Sequence, residues 1–151
     1  MEREKSIGGI LFRVENGKRI YLLLEYERIN DEKGKHNYWD FVKGHVEKNE
    51  EEKETLIREI QEETGIKNIE ILKGFKEVIK YFFKKDEILI NKEVIYYLVR
   101  TSEKDIKISF EHSSYEWLEY KDAVKKIGFK KSKDILIKAE NFLNNSLLKY
   151  Q

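Results

Sequence analysis

The sequence contains no cysteine and no proline. Without cysteine the chain has no disulfide, no thiolate zinc site and no cysteine nucleophile. Without proline, tight turns must be made by Gly, Asn and Asp. No apolar run approaches the ~20 residues that span a bilayer, and residues 1–5 lack the apolar stretch of a secretory signal peptide. We therefore expect a cytoplasmic protein that does not associate with a membrane.

The chain also lacks a charge excess of either sign. Its 151 residues carry 30 Lys and Arg against 29 Asp and Glu, a formal net charge of +1. Proteins that hold nucleic acid by general electrostatics show a basic excess, so we expect no stable nucleic-acid partner. Hydrophobic residues make up 40% of the chain. That content and the length predict one domain over residues 1–151 with an ordinary core.

Apolar periodicity predicts an alternation of strands and helices. The predicted strands are residues 6–14, 19–26, 38–42, 69–83, 93–100 and 115–120, and the later helices are 122–127 and 133–148. Asn16-Gly17 predicts a hairpin turn, and Gly8-Gly9 predicts a close backbone approach. Residues 27–35 are predicted to be a loop and residues 84–86 a connection. The order indicates an α/β fold with a mixed, curved sheet sandwiched between helices.

The clearest predicted helix follows Asn49, which we expect to cap it together with Glu52 in a capping box. Its predicted apolar stripe consists of Leu56, Ile57 and Ile60. Gly65 stands where a helix-terminating glycine is expected.

This helix region is rich in carboxylates. Residues 47–63 hold eight glutamates, at positions 47, 50, 51, 52, 54, 59, 62 and 63, against three basic residues. Glu59, Glu62 and Glu63 share one helix face because they are spaced i, i+3 and i+4. Carboxylates that repel each other favour a bound cation, and hard oxygen ligands favour Mg²⁺ or Mn²⁺, the usual partners of phosphate. A solvated acidic face is the alternative interpretation.

The spacing around this helix resembles the Nudix box. Gly44 is followed by five residues and Glu50, and then by seven residues and residues 58–66 (Arg-Glu-Ile-Gln-Glu-Glu-Thr-Gly-Ile). The nine defining positions of the motif all agree over these 23 residues. The resemblance implies a Nudix fold and metal-dependent hydrolysis of a nucleoside diphosphate that is linked to another group.

The same resemblance implies roles for the residues of the box. Glu59 and Glu63 are implied to be metal ligands, and Glu62 to be a further ligand or the residue that handles the attacking water. Arg58 is implied to orient the glutamates, with a plain surface arginine as the alternative. Three residues of the box are implied to be structural, namely Gly44, Glu50 and Gly65.

Other segments resemble the asymmetrical diadenosine tetraphosphate hydrolases. Residues 39–47 (Trp-Asp-Phe-Val-Lys-Gly-His-Val-Glu) are similar to their Trp-x-Pro-Pro-Lys-Gly-His-Val-Glu segment, with Phe-Val in place of the two prolines. Further likenesses lie at residues 74–81, 111–118 and 129–130. The resemblance implies a dinucleoside polyphosphate substrate, diadenosine tetraphosphate, cleaved to ATP and AMP with Mg²⁺ or Mn²⁺ as cofactor.

Five residues outside the helix are further site candidates. Lys43 can meet a phosphate as a point charge, and Tyr81 can stack on a purine because every base has a π-face. Glu111 is a candidate metal ligand or catalytic base. His112 is a candidate phosphate partner, and Lys130 is a candidate contact to one end of a nucleotide. For each of them an ordinary surface or packing role is the alternative.

Other functions stay open at this point. A Nudix enzyme can act instead on nucleoside triphosphates, on RNA 5′-triphosphate ends, on diphosphoinositol phosphates or on other nucleoside diphosphate derivatives. A non-catalytic nucleotide sensor has less need of three clustered carboxylates. A calcium-binding structural module has an Asp-rich loop of about 12 residues, which this sequence does not contain.

Overall fold

The seven strands in residues 2–31 and 34–146, the part of the chain that this computed structural model describes, form one mixed sheet. They are β1 (Glu2–Glu15), β2 (Lys18–Asp31), β3 (Gly34–Asp40), β4 (Val42–His45), β5 (Glu70–Lys85), β6 (Ile88–Arg100) and β7 (His112–Glu119). The main path runs β3-β2-β1-β6-β5, with β4 paired to β1 and β7 to β2. β1 and β6 are parallel and the other pairs are antiparallel.

Helices cover both faces of this sheet. They are α1 (Glu52–Thr64), α2 (Tyr120–Lys126) and α3 (Lys130–Asn145). Successive side chains of a strand point to opposite faces, so Ile7 and Leu11 of β1 pack in the core beneath α1. Ile10 and Phe12 of the same strand pack in the core beneath α2 and α3. The predicted sandwich is therefore confirmed. None of these helices has the length and apolarity needed to span a bilayer.

Two local predictions are confirmed, one in the turn that follows β1 and one within β1. Asn16 and Gly17 form the tight turn into β2 with φ values of 51° and 77°, a conformation that Asn and Gly tolerate best. Gly8 makes a close approach, since a Cβ there would lie 2.4 Å from the ring of Tyr96.

Two predicted connections are wrong because the strands extend further than their apolar patterns. Residues 27–31 and 34–35 are not loop but continue β2 and β3, with Asp31 paired to Gly34. Residues 84–85 belong to β5, and the turn into β6 is made by Asp86 and Glu87, both with positive φ. Backbone pairing between neighbouring strands needs no apolar side chain, so periodicity does not detect these hairpins.

The start of α1 also differs from the prediction. Asn49 does not cap the helix, because it takes a left-handed φ of 64° in the preceding turn. The N-cap is Glu51, whose backbone N–H donates to the carboxylate of Glu54 at 3.1 Å. Glu52 instead accepts a 2.6 Å hydrogen bond from the hydroxyl of Tyr97, which ties the first turn of the helix to β6.

The rest of α1 follows the prediction with one exception. Gly65 ends the helix with a φ of 76°, and its N–H donates to the carbonyl of Gln61 at 2.9 Å. Leu56 and Ile60 are fully buried, but Ile57 is 41% exposed and lies outside the apolar stripe.

The two later helices start earlier than predicted. α2 begins at Tyr120 and α3 at Lys130, whereas the patterns place their starts at residues 122 and 133. α3 buries Ile135, Leu136 and Leu143 as its periodicity predicts. Residues 147–148, at the predicted end of α3, lie outside the described residues.

Candidate active site

Arg58 of α1 lies at the centre of a cluster of carboxylates from this helix and from the turn before it. Its Nε and Nη2 donate to the two carboxylate oxygens of Glu50 at 2.7 and 3.0 Å. Its Nη1 donates to Glu59 at 2.8 Å and to Glu62 at 3.1 Å. Nη2 also donates to the carbonyl oxygen of His45 at 3.0 Å. One planar guanidinium therefore fixes three carboxylates relative to the backbone of β4.

Glu50 is fully engaged by protein donors. Besides the two bonds from Arg58, it accepts hydrogen bonds from the hydroxyl of Thr55 at 2.6 Å and from the backbone N–H of Glu47 at 3.0 Å. The hydrogen bonds from Arg58 and then Thr55 lower the pKa of Glu50 to about 2. Glu50 thus holds the turn before α1 against the middle of the helix.

Glu59 and Glu63 stand one turn apart and are both buried, with 8% and 6% of their surface exposed. Burial, followed by repulsion from Glu63, raises the pKa of Glu59 to about 7, although Arg58 opposes the shift. The backbone of β4 passes so close that a Cβ at Gly44 would lie 1.9 Å from the Glu59 carboxylate carbon. The site therefore gathers negative charge that its own cations do not fully neutralise.

His112, the first residue of β7, contacts Glu63. Nε2 of His112 lies 2.9 Å from Oε2 of Glu63, but the pair lacks the alignment of a hydrogen bond. Both atoms, like Nδ1 of His112, are buried without a hydrogen-bond partner in the described part of the chain. Ligand atoms of Glu63, Glu111 and His112 all lie within 4.8 Å of one another.

These observations test whether the residues fit a divalent cation. Buried, unpartnered ligand atoms beside a repelling carboxylate pair are stabilised when a cation is bound. Carboxylate oxygens suit Mg²⁺ and Mn²⁺, and an imidazole nitrogen is a common metal ligand. The residues present therefore fit such an ion.

The carboxylates open into a cleft of about 920 Å³. Most of the predicted site residues line it, namely Lys43, Gly44, Arg58, Glu59, Glu62, Glu63, Glu111 and His112. Within this group His112 is packed against Glu63, and the side chain of Glu62 is 57% exposed on the outer side of Arg58. Gly65 is not part of the cleft, since it ends α1 beside Lys107.

Two further predicted residues, Tyr81 and Lys130, line a neighbouring pocket of about 280 Å³, which we call the aromatic pocket. Phe129 lies in the same pocket, and its ring packs edge-on against Tyr38 with ring centres 5.0 Å apart. Lys43 lines both this pocket and the large cleft. The two cavities therefore adjoin at one half-buried lysine.

Lys43 is held as a cation by its surroundings. Burial disfavours the ammonium, but the carboxylate of Asp40 and the neighbouring tyrosines Tyr96, Tyr38 and Tyr81 together outweigh burial and raise the pKa of Lys43 above its ordinary value. The lysine Nζ lies 3.3 Å from Asp40 and 5.7 Å from the ring centre of Tyr26. A fixed positive charge therefore stands between the aromatic pocket and the carboxylates.

The sequence patterns miss several residues of these cavities. Asp40 pairs with Lys43, Lys92 lines the large cleft, and Phe110 stands 94% exposed at that cleft. Phe110 carries a signal that can be found in the sequence, since it is an aromatic residue directly before the candidate Glu111. Asp40 and Lys92 carry no such signal in the sequence. Asp40 ends β3, a strand of mixed polar and apolar residues, and Lys92 lies within β6, a mostly apolar strand.

A mixed sheet between helices, with buried carboxylates on the helix that follows β4, defines the Nudix class of fold. The chain matches the NUDIX domain family over residues 3–139. It therefore belongs to that family.

Known relatives refine the comparison. The chain is 34% identical over 149 residues to the asymmetrical bis(5′-nucleosyl)-tetraphosphatase of Rattus norvegicus, covering 92% of this chain and 95% of that protein. It is 33% identical over 104 residues to an RNA pyrophosphohydrolase of Nitratiruptor sp., covering 60% of this chain and 64% of that protein. A crystal structure of a C. elegans Ap4A hydrolase binary complex is similar with a TM-score of 0.78 and 28% identity, covering 95% of this chain and 99% of that one.

Proposed function

We propose that this protein hydrolyses diadenosine tetraphosphate asymmetrically, to ATP and AMP, with the help of a divalent cation. The observation that carries the proposal is the position of Lys43, where the carboxylate cleft adjoins the aromatic pocket. A substrate that joins a base to a chain of phosphates needs an apolar slot, a cation and a metal site side by side. Similarity to the rat asymmetrical tetraphosphatase supports the same substrate.

We infer that Glu59 and Glu63 hold Mg²⁺ or Mn²⁺, with Glu62 and Glu111 as the further ligand or the base. When such an ion is bound, the chemistry it supplies is neutralisation of phosphate charge and a lower pKa for water. Arg58 keeps Glu59 and Glu62 in position through its Nη1. The base accepts a proton from the attacking water, whose oxygen forms a bond to phosphorus as one P–O bond of the anhydride breaks.

The remaining residues act on the substrate. Lys43 meets a phosphate oxygen and stabilises the negative charge that develops on the leaving phosphate. Tyr81 and Phe129 enclose one adenine in the smaller pocket, where stacking contributes ~1–3 kcal/mol of binding free energy. Lys130, at the first turn of α3, adds a positive charge at the edge of the same pocket. His112 lines the large cleft beside Glu63, where its contact to a phosphate stays a prediction.

Hydrolysis of RNA 5′-triphosphate ends is the second candidate function. It is supported by the 33% identity to an RNA pyrophosphohydrolase. The formal net charge of +1 does not favour this function, because RNA binding benefits from an excess of basic residues.

We further infer that residues 1–151 form one Nudix domain, since the family match extends over residues 3–139. A cytoplasmic location stays a prediction from the sequence.

The test is a substrate panel with chromatographic separation of the products. Diadenosine tetraphosphate, ATP and a triphosphorylated RNA are each incubated with the protein and Mg²⁺, and in parallel with chelator. We expect diadenosine tetraphosphate to be the best substrate and to give ATP and AMP in equal amounts. ADP as the only product means symmetrical cleavage and contradicts the proposal. Faster turnover of the RNA favours the second candidate, and nucleotide binding without turnover favours a sensor.

A further inference from the structure

Phe110 is the most exposed large apolar residue among the described residues, with 94% of its surface accessible. It belongs to a tight turn in which the backbone N–H of His112 donates to the carbonyl of Ser109 at 3.2 Å. The turn holds the phenyl ring outside the core. Exposure of a phenyl ring forgoes the free energy that burial of its surface would supply, so its position invites a functional explanation.

The position of this ring is specific. Phe110 lines the same cleft as Glu63 and Lys43, and its neighbour Glu111 contributes a carboxylate to the group around Glu63. The aromatic pocket with Tyr81 does not include Phe110. Aromatic rings therefore line both cavities, and in the carboxylate cleft, which Tyr26 and Tyr38 also line, Phe110 is the ring that stands exposed.

We infer that Phe110 is the stacking platform for the second nucleobase of the substrate. The inference rests on the proposed function and adds a binding site for the nucleoside that lies outside the aromatic pocket. A dinucleoside tetraphosphate carries two bases on one phosphate chain. The pocket of about 280 Å³ takes one base, and the cleft of about 920 Å³ takes the phosphates and the other nucleoside.

The chemistry of the platform also predicts its specificity. A single exposed ring offers a π-face and no hydrogen-bonding group, and stacking on aromatic side chains tolerates any base. The second nucleoside is thus held with little preference among adenine, guanine and uracil. The enclosed pocket with Tyr81 and Phe129 discriminates more strongly.

The experiment compares a substrate with two bases and a substrate with one. Steady-state kinetics are measured with diadenosine tetraphosphate and with adenosine 5′-tetraphosphate, for the wild type and for Phe110→Ala. We expect the KM for the dinucleotide to rise about 10-fold, in line with the loss of one stacked base. The KM for adenosine tetraphosphate should stay unchanged, because its one base occupies the aromatic pocket.

Three further variants separate stacking from other effects. Phe110→Tyr keeps the π-face and should retain the wild-type KM, whereas Phe110→Leu keeps apolar bulk without a π-face and should behave like Phe110→Ala. Phe82→Ala removes an exposed phenylalanine of β5 that does not line the cleft and should leave both substrates unaffected. Thermal unfolding of each variant shows whether the domain remains folded.

Each contrary outcome has a distinct meaning. An unchanged KM for the dinucleotide in Phe110→Ala overturns the platform, while wild-type turnover of that substrate leaves the proposed function standing. An equal rise in KM for both substrates, or wild-type behaviour of Phe110→Leu, also overturns it. A change of oligomeric mass with unchanged kinetics assigns Phe110 to an interface between copies and overturns it too. A wild type that fails to hydrolyse diadenosine tetraphosphate overturns both inferences.

Discussion

The guanidinium of Arg58 donates two hydrogen bonds to the carboxylate of Glu50, from Nε to Oε2 at 2.7 Å and from Nη2 to Oε1 at 3.0 Å. This pairing orients the guanidinium so that Nη1 points to Glu59 and Glu62. Seven residues lie between the two partners in the sequence, so the contact also closes the turn before α1 onto the body of the helix. Glu50 thus acts on the site through Arg58, without facing the cleft.

Replacing Arg58 with lysine should damage both stability and turnover. Lysine keeps the charge, but its ammonium cannot make the two-pronged contact and hold Glu59 as well. Loss of these charge-assisted bonds should cost about 2 kcal/mol of unfolding free energy, measured by denaturant titration, and should lower kcat at least ~10-fold. Arg3→Lys, at an exposed position of β1, is the control and should change neither quantity. Equal behaviour of the two variants would contradict the positioning role.

Glu63→Gln should lower turnover much more than substrate binding. Glutamine keeps the shape of the side chain but loses the charge, and metal ligands act on the charge that develops in the transition state. We expect kcat to fall at least ~10²-fold, a barrier increase of about 2.7 kcal/mol.

The matched control for Glu63 is Glu54→Gln on the same helix. Glu54 accepts the N–H of Glu51 at the exposed start of α1, and glutamine can accept the same bond. It should therefore change turnover little. If the two substitutions behave alike, the assignment of roles along this helix is wrong.

The sandwich and the acidic site could be predicted from the sequence because they depend on local periodicity. Glu59 and Glu63 share a helix face through their spacing alone, and Gly65 marks the end of α1 through its own backbone freedom. The start of α1 could not be predicted, since Asn49 with Glu52 and Glu51 with Glu54 have the same spacing. The choice between them involves contacts distant in sequence, such as that between Glu52 and the Tyr97 hydroxyl.

The rest of the site depends on contacts between distant segments. Periodicity cannot show that the turn before β7 brings His112 to within 2.9 Å of Glu63. It also cannot show that Lys43 lines two cavities, because the second cavity is formed by β5, β6 and the start of α3. Tyr81 and Lys130 are site candidates through resemblance to a family, which does not show that they line one pocket, and their roles stay predictions.

Activity should depend strictly on a divalent cation. The buried pair Glu59 and Glu63 repels itself without one, and phosphate oxygens need charge neutralisation for attack. Chelator should abolish turnover, and added Mg²⁺ or Mn²⁺ should restore it. Ca²⁺ should substitute poorly, because it prefers more ligands at longer distances than Mg²⁺. Full activity in chelator would contradict the proposed use of these carboxylates.

Glu59→Gln should stabilise the metal-free protein, most strongly above neutral pH. The pKa of Glu59 is raised from 4.5 to about 7, so the folded state binds its proton more tightly than the unfolded state does. The stabilising contribution of that proton is present below pH 4.5 and is lost as the pH rises through about 7. A shift of this size corresponds to roughly 3 kcal/mol.

The measurement for Glu59 is the unfolding free energy in chelator across this pH range. The difference between Glu59→Gln and the wild type should grow from pH 4.5 to about 7 and then level off. Added Mg²⁺ should stabilise the wild type by binding only its folded state, and should stabilise the variant far less. If the difference in unfolding free energy does not change with pH, ionisation of Glu59 beside Glu63 does not destabilise the folded protein, and the prediction is wrong.

Tyr81→Ala should weaken substrate binding without slowing the chemical step. Tyr81 lines the pocket of about 280 Å³ together with Phe129, whereas the carboxylates lie in the other cleft. Loss of a stacked base should cost ~1–3 kcal/mol. We expect this loss as a higher KM for diadenosine tetraphosphate and for adenosine tetraphosphate alike, since both place an adenine in this pocket. Phe82→Ala, the neighbouring position on β5, should leave KM unchanged. A fall in kcat with an unchanged KM would place Tyr81 at the reacting phosphates instead of the base.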